Sequence, residues 1–163
     1  MPPKYSRWEI ERRWLVPREA VPNLARAEAW TLEDKYLECG RLRLRKVAAL
    51  QAPAVFKLGK KYPRSAEDSG PACAAEPVVS VYLTESEYEA LLALPGASIR
   101  KTRYRVAGGA LDVYEHPAAG LLVFGLEFPD EAAAAAYVPP SFVGREITGD
   151  ASFSGHAIAH RAG

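Results

Sequence analysis

The sequence is short of the residues that build thiolate or imidazole metal frameworks. It has two cysteines, Cys39 and Cys73, and three histidines in 163 residues. A structural zinc site needs about four ligands, typically in close Cys/His pairs, so none is expected. The two cysteines are read as separate thiols of a reducing compartment, with a disulfide between them left open. His156 and His160 stand one helical turn apart and are read as part of a solvated terminal helix. No stretch approaches the roughly 20 consecutive apolar residues of a membrane helix. The first residues, Met1 to Arg7, lack the apolar core of a signal peptide. A cytoplasmic protein with no membrane partner is expected. Charge of one sign is also missing: 21 Lys and Arg stand against 20 Asp and Glu, net +1. That balance argues against a nucleic-acid polymer as partner, which usually meets a strongly basic domain. There is no Walker-type spacing, no internal repeat and no composition shift, so residues 1–163 are read as a single domain.

What the chain does have is alternation. Glu9, Glu11 and Arg13 share one face of a strand from Tyr5 to Val16, with Trp8, Ile10 and Trp14 opposite, because strand side chains alternate with period two. Trp30 to Glu38 reads as another strand. After Gly40, Arg41, Arg43 and Arg45 alternate with Leu42 and Leu44. Ala54 to Leu58 is a short strand carrying Lys57. The stretch Lys60 to Pro77 has no periodicity and reads as a loop. Val78 to Leu83 is rich in β-branched residues. Thr84 and Glu87 stand in capping-box spacing before a helix with Leu91, Leu92 and Leu94 on its apolar side, ended by Pro95-Gly96. Lys101, Arg103 and Arg105 alternate within Ile99 to Val106. Gly108-Gly109 marks a hairpin, and Leu111 to Tyr114 and Leu121 to Phe128 follow as strands carrying Asp112 and Glu127. Asp130 caps an alanine-rich helix, and Asp150 to His160 reads as a last helix. Hairpin-linked strands at this density, with few helices, predict an α+β chain built on a closed antiparallel β-barrel or a strongly curled sheet.

A sheet with one wet face would show the same alternation. Here, however, the charges are sorted by strand, and two strands are almost purely cationic. Like charges directly opposite are destabilising, so that sorting suits a concave site for a polyanion, with carboxylates nearby for a metal.

These segments resemble, in order, the CYTH, or triphosphate tunnel metalloenzyme, superfamily. Glu9-Ile-Glu11-Arg-Arg13 is similar to its Glu-x-Glu-x-Lys strand. Asp34-Lys-Tyr36-Leu, Arg43-Leu-Arg45, Phe56-Lys57, Lys101-Thr-Arg103, Leu111-Asp112-Val-Tyr, Glu127-Phe and Glu146-Ile-Thr-Gly-Asp150 are similar to its later segments. The resemblance implies an eight-stranded antiparallel tunnel with peripheral helices and inward charges. It implies Mg²⁺ or Mn²⁺ on Glu9, Glu11, Asp112 and Glu127, and a triphosphate-bearing small molecule on Arg41, Arg43, Arg45, Lys57, Lys101 and Arg103. Glu9, Glu11, Arg13 and Tyr36 would carry catalysis. The implied activity is hydrolysis of inorganic tripolyphosphate. Adenylate cyclase on the same scaffold and a non-catalytic polyphosphate- or nucleotide-binding module are the alternatives. On the resemblance alone, a homodimer is implied. The sequence departs from the pattern where Arg13 replaces lysine, where Gly125 replaces the glutamate expected two residues before Glu127, and where Val78 to Tyr82 lacks glutamates.

Overall fold

The computed structural model describes residues 3–63 and 75–161. Eight strands close into one antiparallel barrel: β1 (Arg7–Leu15), β2 (Ala29–Leu37), β3 (Leu42–Ala49), β4 (Ala52–Lys61), β5 (Ala75–Leu83), β6 (Gly96–Val106), β7 (Gly109–His116) and β8 (Leu122–Phe128). Their order around the barrel is β1-β5-β4-β3-β2-β6-β7-β8. Closure depends on β1, which pairs with β5 along Arg7 to Ile10 and with β8 along Ile10 to Leu15. A closed barrel has no free edge and two distinct faces, so strict alternation along each strand is required of the sequence.

Part of the outward surface is apolar and covered by helices and loops, whereas β2, β6 and β7 present the exposed ion pairs of Arg100 with Glu33 and Glu115. Helix α1 (Glu85–Leu92) packs Tyr88 and Leu91 on Leu37, Leu44 and Phe56. It starts at the expected capping box, in which Thr84 and Glu87 exchange both hydrogen bonds. Leu92 and Leu94, expected on its apolar side, are instead 38% and 42% exposed, because Tyr88 and Leu91 occupy the stripe that meets the sheet. Helix α2 (Glu131–Ala136), capped by the Asp130 carboxylate, sets Ala134 on Ile10, with Trp8 and Phe128 alongside. Trp14, Leu111 and Phe124 are covered by Tyr137, Phe142 and Val143.

The C-terminal segment behaves differently. The expected single helix from Asp150 to His160 is broken at Ser154. A 3-10 turn (Ala151–Phe153) precedes it, and α3 (Gly155–Ala159) follows with the Ser154 hydroxyl as its cap. This segment packs Ile158 and Ala159 against Ile99, Tyr114 and Val123. Those three lie two residues from Lys101, Asp112 and Gly125, on the inward faces of β6, β7 and β8. An apolar plug therefore closes one end of the barrel, and the charged side chains line the rest of its interior.

Two strands are longer than the sequence pattern suggests. At both ends of the loop expected from Lys60 to Pro77 the chain is strand: Lys60 and Lys61 belong to β4, and Glu76 and Pro77 to β5, while residues 64–74 lie outside the described residues. Cys39 is an exposed free thiol, while Cys73 lies outside the described residues. Among the described residues no helix is long and apolar enough to cross a membrane.

Candidate active site

The barrel wall brings the sequence-predicted charges together, and the cross-strand register decides which of them pair. Asp34 on β2 lies opposite Arg45 on β3. Their side chains form a two-point contact, Arg45 Nε to Asp34 Oδ1 at 2.6 Å and Arg45 Nη2 to Oδ2 at 2.7 Å. Burial alone would raise the Asp34 pKa, but Arg45, with Arg43 and Lys101 behind it, lowers it to about 2. One strand further, Arg103 on β6 faces Asp112 on β7. Asp112 accepts from Arg103 Nε at 2.7 Å and Nη2 at 2.9 Å, and from Lys101 Nζ at 2.6 Å. Burial opposes ionisation of Asp112, yet Lys101 and Arg103 hold its carboxyl well below the usual range. Asp112 thus anchors two cations through three hydrogen bonds, with acceptor capacity left on Oδ1, which has a single donor. The Tyr114 hydroxyl, desolvated and close to Asp112, is pushed up to about 12.

Arg43 and Lys57 are different. Both lie on the inward face, and among the described residues neither forms an ion pair with a carboxylate within 4 Å. Lys57 Nζ sits 5.0 Å from the centre of the Tyr82 ring, and Arg43 Nη2 lies beside Gly59. Both are half-buried and, among the described residues, held by no direct ion pair, so their charge is available to an anion entering the barrel. Arg41 falls just outside β3. It stands at the rim, half exposed, 3.8 Å from Glu76. Arg105 shares the face of Lys101 and Arg103 but reaches the other rim, where it pairs with Glu28 at 3.2 Å.

The acidic patch lies on β1 and its two neighbours. Register places Glu9 opposite Glu76 and Glu11 opposite Glu127, two like-charged pairs of a kind that is unfavourable without a cation. Lys61, read from the sequence as loop, extends its ammonium to Glu9 at 2.5 Å and Glu76 at 3.4 Å. Burial would raise the Glu9 pKa, but Lys61 lowers it below the usual range. Glu11 has no such partner. Among the described residues it makes no hydrogen bond or ion pair, and burial raises its pKa against the more distant pull of Arg13 and Lys61. It faces a cavity of about 290 Å³ that Arg13, Arg103, Asp112, Gly125 and Glu127 also line. A Cβ added at Gly125 would point to the Glu11 carboxylate, 3.1 Å from Oε1, so Gly125 does occupy an inward position next to the acids. Among the described residues no three Asp, Glu, His or Cys side chains converge as they stand on a single point. The donor chemistry nevertheless suits a hard divalent cation, because it offers carboxylate oxygens in like-charged register with Glu11 unpartnered.

Two further expected residues face the plug. Arg13 donates from Nη1 to the Phe153 carbonyl at 2.8 Å. Tyr36 packs in the plug cluster with its ring edge-on to His156 and its hydroxyl against Gly155. Sequence reasoning missed Lys61 and set Glu76 aside. The signal for both was continued alternation, Lys57-x-Gly59-x-Lys61 and Glu76-x-Val78-x-Ser80.

No family model matches this sequence, and no curated protein does. Among solved structures, the crystal structure of the inorganic triphosphatase NE1496 superposes with a TM-score of 0.59 at 25% identity, covering 94% of this chain and 95% of that one. A crystal structure of the hypothetical protein NE1496 gives 0.58 at 26% identity, covering 93% and 97%. With the barrel order, the inward charges and the plug already in view, this chain shares the closed eight-stranded antiparallel barrel of these structures over nearly its whole length.

Proposed function

We propose that the tunnel binds a triphosphate-bearing anion, with inorganic tripolyphosphate as the first candidate, and hydrolyses its terminal phosphoanhydride bond. The observation that carries this reading is the pair of unneutralised cations Arg43 and Lys57, set in one interior with the unpartnered carboxylate Glu11. The likeness to the inorganic triphosphatase NE1496 over nearly the whole chain supports it.

Arg43 offers a planar fork to phosphate oxygens and Lys57 a mobile point charge. Arg103 and Lys101, held by Asp112, extend the cationic wall, and Arg41 adds charge at the rim. Glu9, Glu11 and Glu127, with Glu76 added, would hold Mg²⁺ or Mn²⁺. When bound, such an ion supplies charge neutralisation and Lewis acidity at the phosphate oxygens. Phosphoryl transfer asks the protein mainly to align water and leaving oxygen and to stabilise charge. Water adds to the terminal phosphorus, the bridging P–O bond breaks, and tripolyphosphate yields orthophosphate and pyrophosphate. Arg13 and Tyr36 contribute by holding the plug that closes the tunnel, and Asp34 fixes Arg45.

The test is phosphate release from tripolyphosphate, thiamine triphosphate and ATP, with Mg²⁺, with Mn²⁺ and with EDTA, beside a cyclic-AMP measurement. Release from tripolyphosphate that EDTA abolishes is expected. Cyclic AMP without phosphate release would replace this reading with the cyclase.

A further inference from the structure

Lys61 occupies an unusual place for a cation in a barrel of this charge pattern. The other described lining cations line the wall opposite the acids, are anchored by Asp34 or Asp112, or, like Arg13, hold the plug. Lys61 reaches across β5 into the acidic patch, 2.5 Å from Glu9 Oε2 and 3.4 Å from Glu76 Oε2, closer than the rim cations Arg41 and Arg7 come to Glu76 and Glu127. Those two glutamates face each other directly across β1 and β5. An ammonium between two carboxylates provides the neutralisation that a metal ion would otherwise provide. Glu11, one alternate position along β1, is half-buried at the cavity and, among the described residues, forms no ion pair within 4 Å. The like-charged patch is thus half neutralised from within.

We infer that Lys61 is a tethered internal counter-ion that competes with a divalent cation for Glu9 and Glu76. This rests on the proposed cation-assisted function. In the resting protein the lysine closes the acidic patch, and free metal binds weakly. When a cation arrives together with a triphosphate, the carboxylates turn to the cation and the ammonium is released. Its four-carbon stem keeps it on the inward face of β4, one alternate position from Gly59 and the neighbouring Arg43. There it can meet phosphate oxygens next to Arg43, which lies close enough to Glu9 to act on its charge. Lys61 is therefore a positioning residue that couples metal binding to substrate binding and disfavours a metal-loaded, substrate-free state.

The experiment measures Mn²⁺ binding to the free protein from the loss of the free-ion EPR signal, without substrate, for the unsubstituted chain and Lys61→Met. The variant should bind Mn²⁺ at least tenfold more tightly and show a larger Mn²⁺-induced rise in Tm. In EDTA it should bind tripolyphosphate more weakly. A folded Lys61→Met with unchanged or weaker Mn²⁺ affinity overturns the inference. Should that variant not fold, the unsubstituted protein gives the answer. Acetylation of the Lys61 amine, followed by mass spectrometry, should accelerate severalfold when Mn²⁺ alone is added at saturating concentration, and an unchanged rate contradicts the displacement. Phosphate release tests the underlying reading separately. Mn²⁺-dependent release with unmoved Lys61→Met affinity overturns only the role of Lys61. Tightened affinity without release overturns only the hydrolysis.

Discussion

Replacing Asp34 by asparagine removes one charge from the barrel interior and changes almost nothing in shape. Asp34 is 2% exposed, and both of its oxygens are engaged by Arg45. The substitution leaves the Arg45 guanidinium buried without its counter-ion. Breaking a buried pair from one side costs about 3 to 5 kcal/mol. At pH 7, urea denaturation should show a loss of that order with the m-value unchanged. The pH dependence adds a second, independent number. The Asp34 pKa is lowered from 3.8 to about 2 in the folded state. At about 1.4 kcal/mol per unit, that shift corresponds to about 2 kcal/mol of stability. A depressed folded pKa contributes fully above the unfolded value and is lost as pH falls through the folded one. The gap between the two proteins should therefore be constant above about pH 4 and narrow by about 2 kcal/mol toward pH 2. Asp112 is also depressed, but it titrates in both proteins and cancels in the difference. Asp34→Asn with Arg45→Met should recover most of the loss, since an apolar pair of similar volume is often as stable as the ion pair it replaces. A single variant within 1 kcal/mol of the unsubstituted protein at pH 7, or a gap that ignores pH, would refute the account of this pair.

Two further outcomes follow from the lining. Gly125→Glu adds a third carboxylate next to Glu11, whose side chain must shift slightly because the added Cβ would lie only 3.1 Å from Oε1; it should lower Tm in EDTA and raise the Tm gain on adding Mn²⁺, as read by thermal melts. Gly155→Ala would overlap the Tyr36 hydroxyl and backs onto the plug; it should destabilise by about 1 to 3 kcal/mol in urea titrations, the usual cost of overpacking.

The barrel itself was legible because closure imposes one rule on every strand. Arg43 and Arg45 against Leu42 and Leu44, or Lys101 and Arg103 against Thr102 and Tyr104, announce an inside and an outside without any knowledge of neighbours. The same alternation overreached at the rims: Arg41 and Arg105 share the right faces, yet strand ends and barrel tilt carry them out to Glu76 and Glu28. Pairing was not legible at all. Whether Asp112 meets a metal or an arginine is set by register between β6 and β7, which places it opposite Arg103, and period two says nothing of register. The missed residues cluster where turn-like chemistry sits inside strands. Gly59 precedes Lys61, and Pro77 follows Glu76 in β5, where proline is normally excluded from a central strand. The β1–β5 pairing there spans only Arg7 to Ile10, so the missing N–H falls in one of the two shortest seams of the barrel. The break at Ser154 was hidden because Ser154 is as good a cap as a helix interior residue is a poor one.

The central claim is that Arg43 and Lys57 wait unneutralised for a triphosphate. It is tested most directly by the kinetics of phosphate release from tripolyphosphate with Mg²⁺ or Mn²⁺, for the unsubstituted protein and for Arg43→Ala. The account predicts release that EDTA abolishes, and a loss in kcat/KM of roughly tenfold to a hundredfold for Arg43→Ala at unchanged Tm, the equivalent of one charge-assisted hydrogen bond of about 1.5–3 kcal/mol. No release from tripolyphosphate with either ion, or an Arg43→Ala protein that turns over and binds tripolyphosphate as well as its parent, would contradict it.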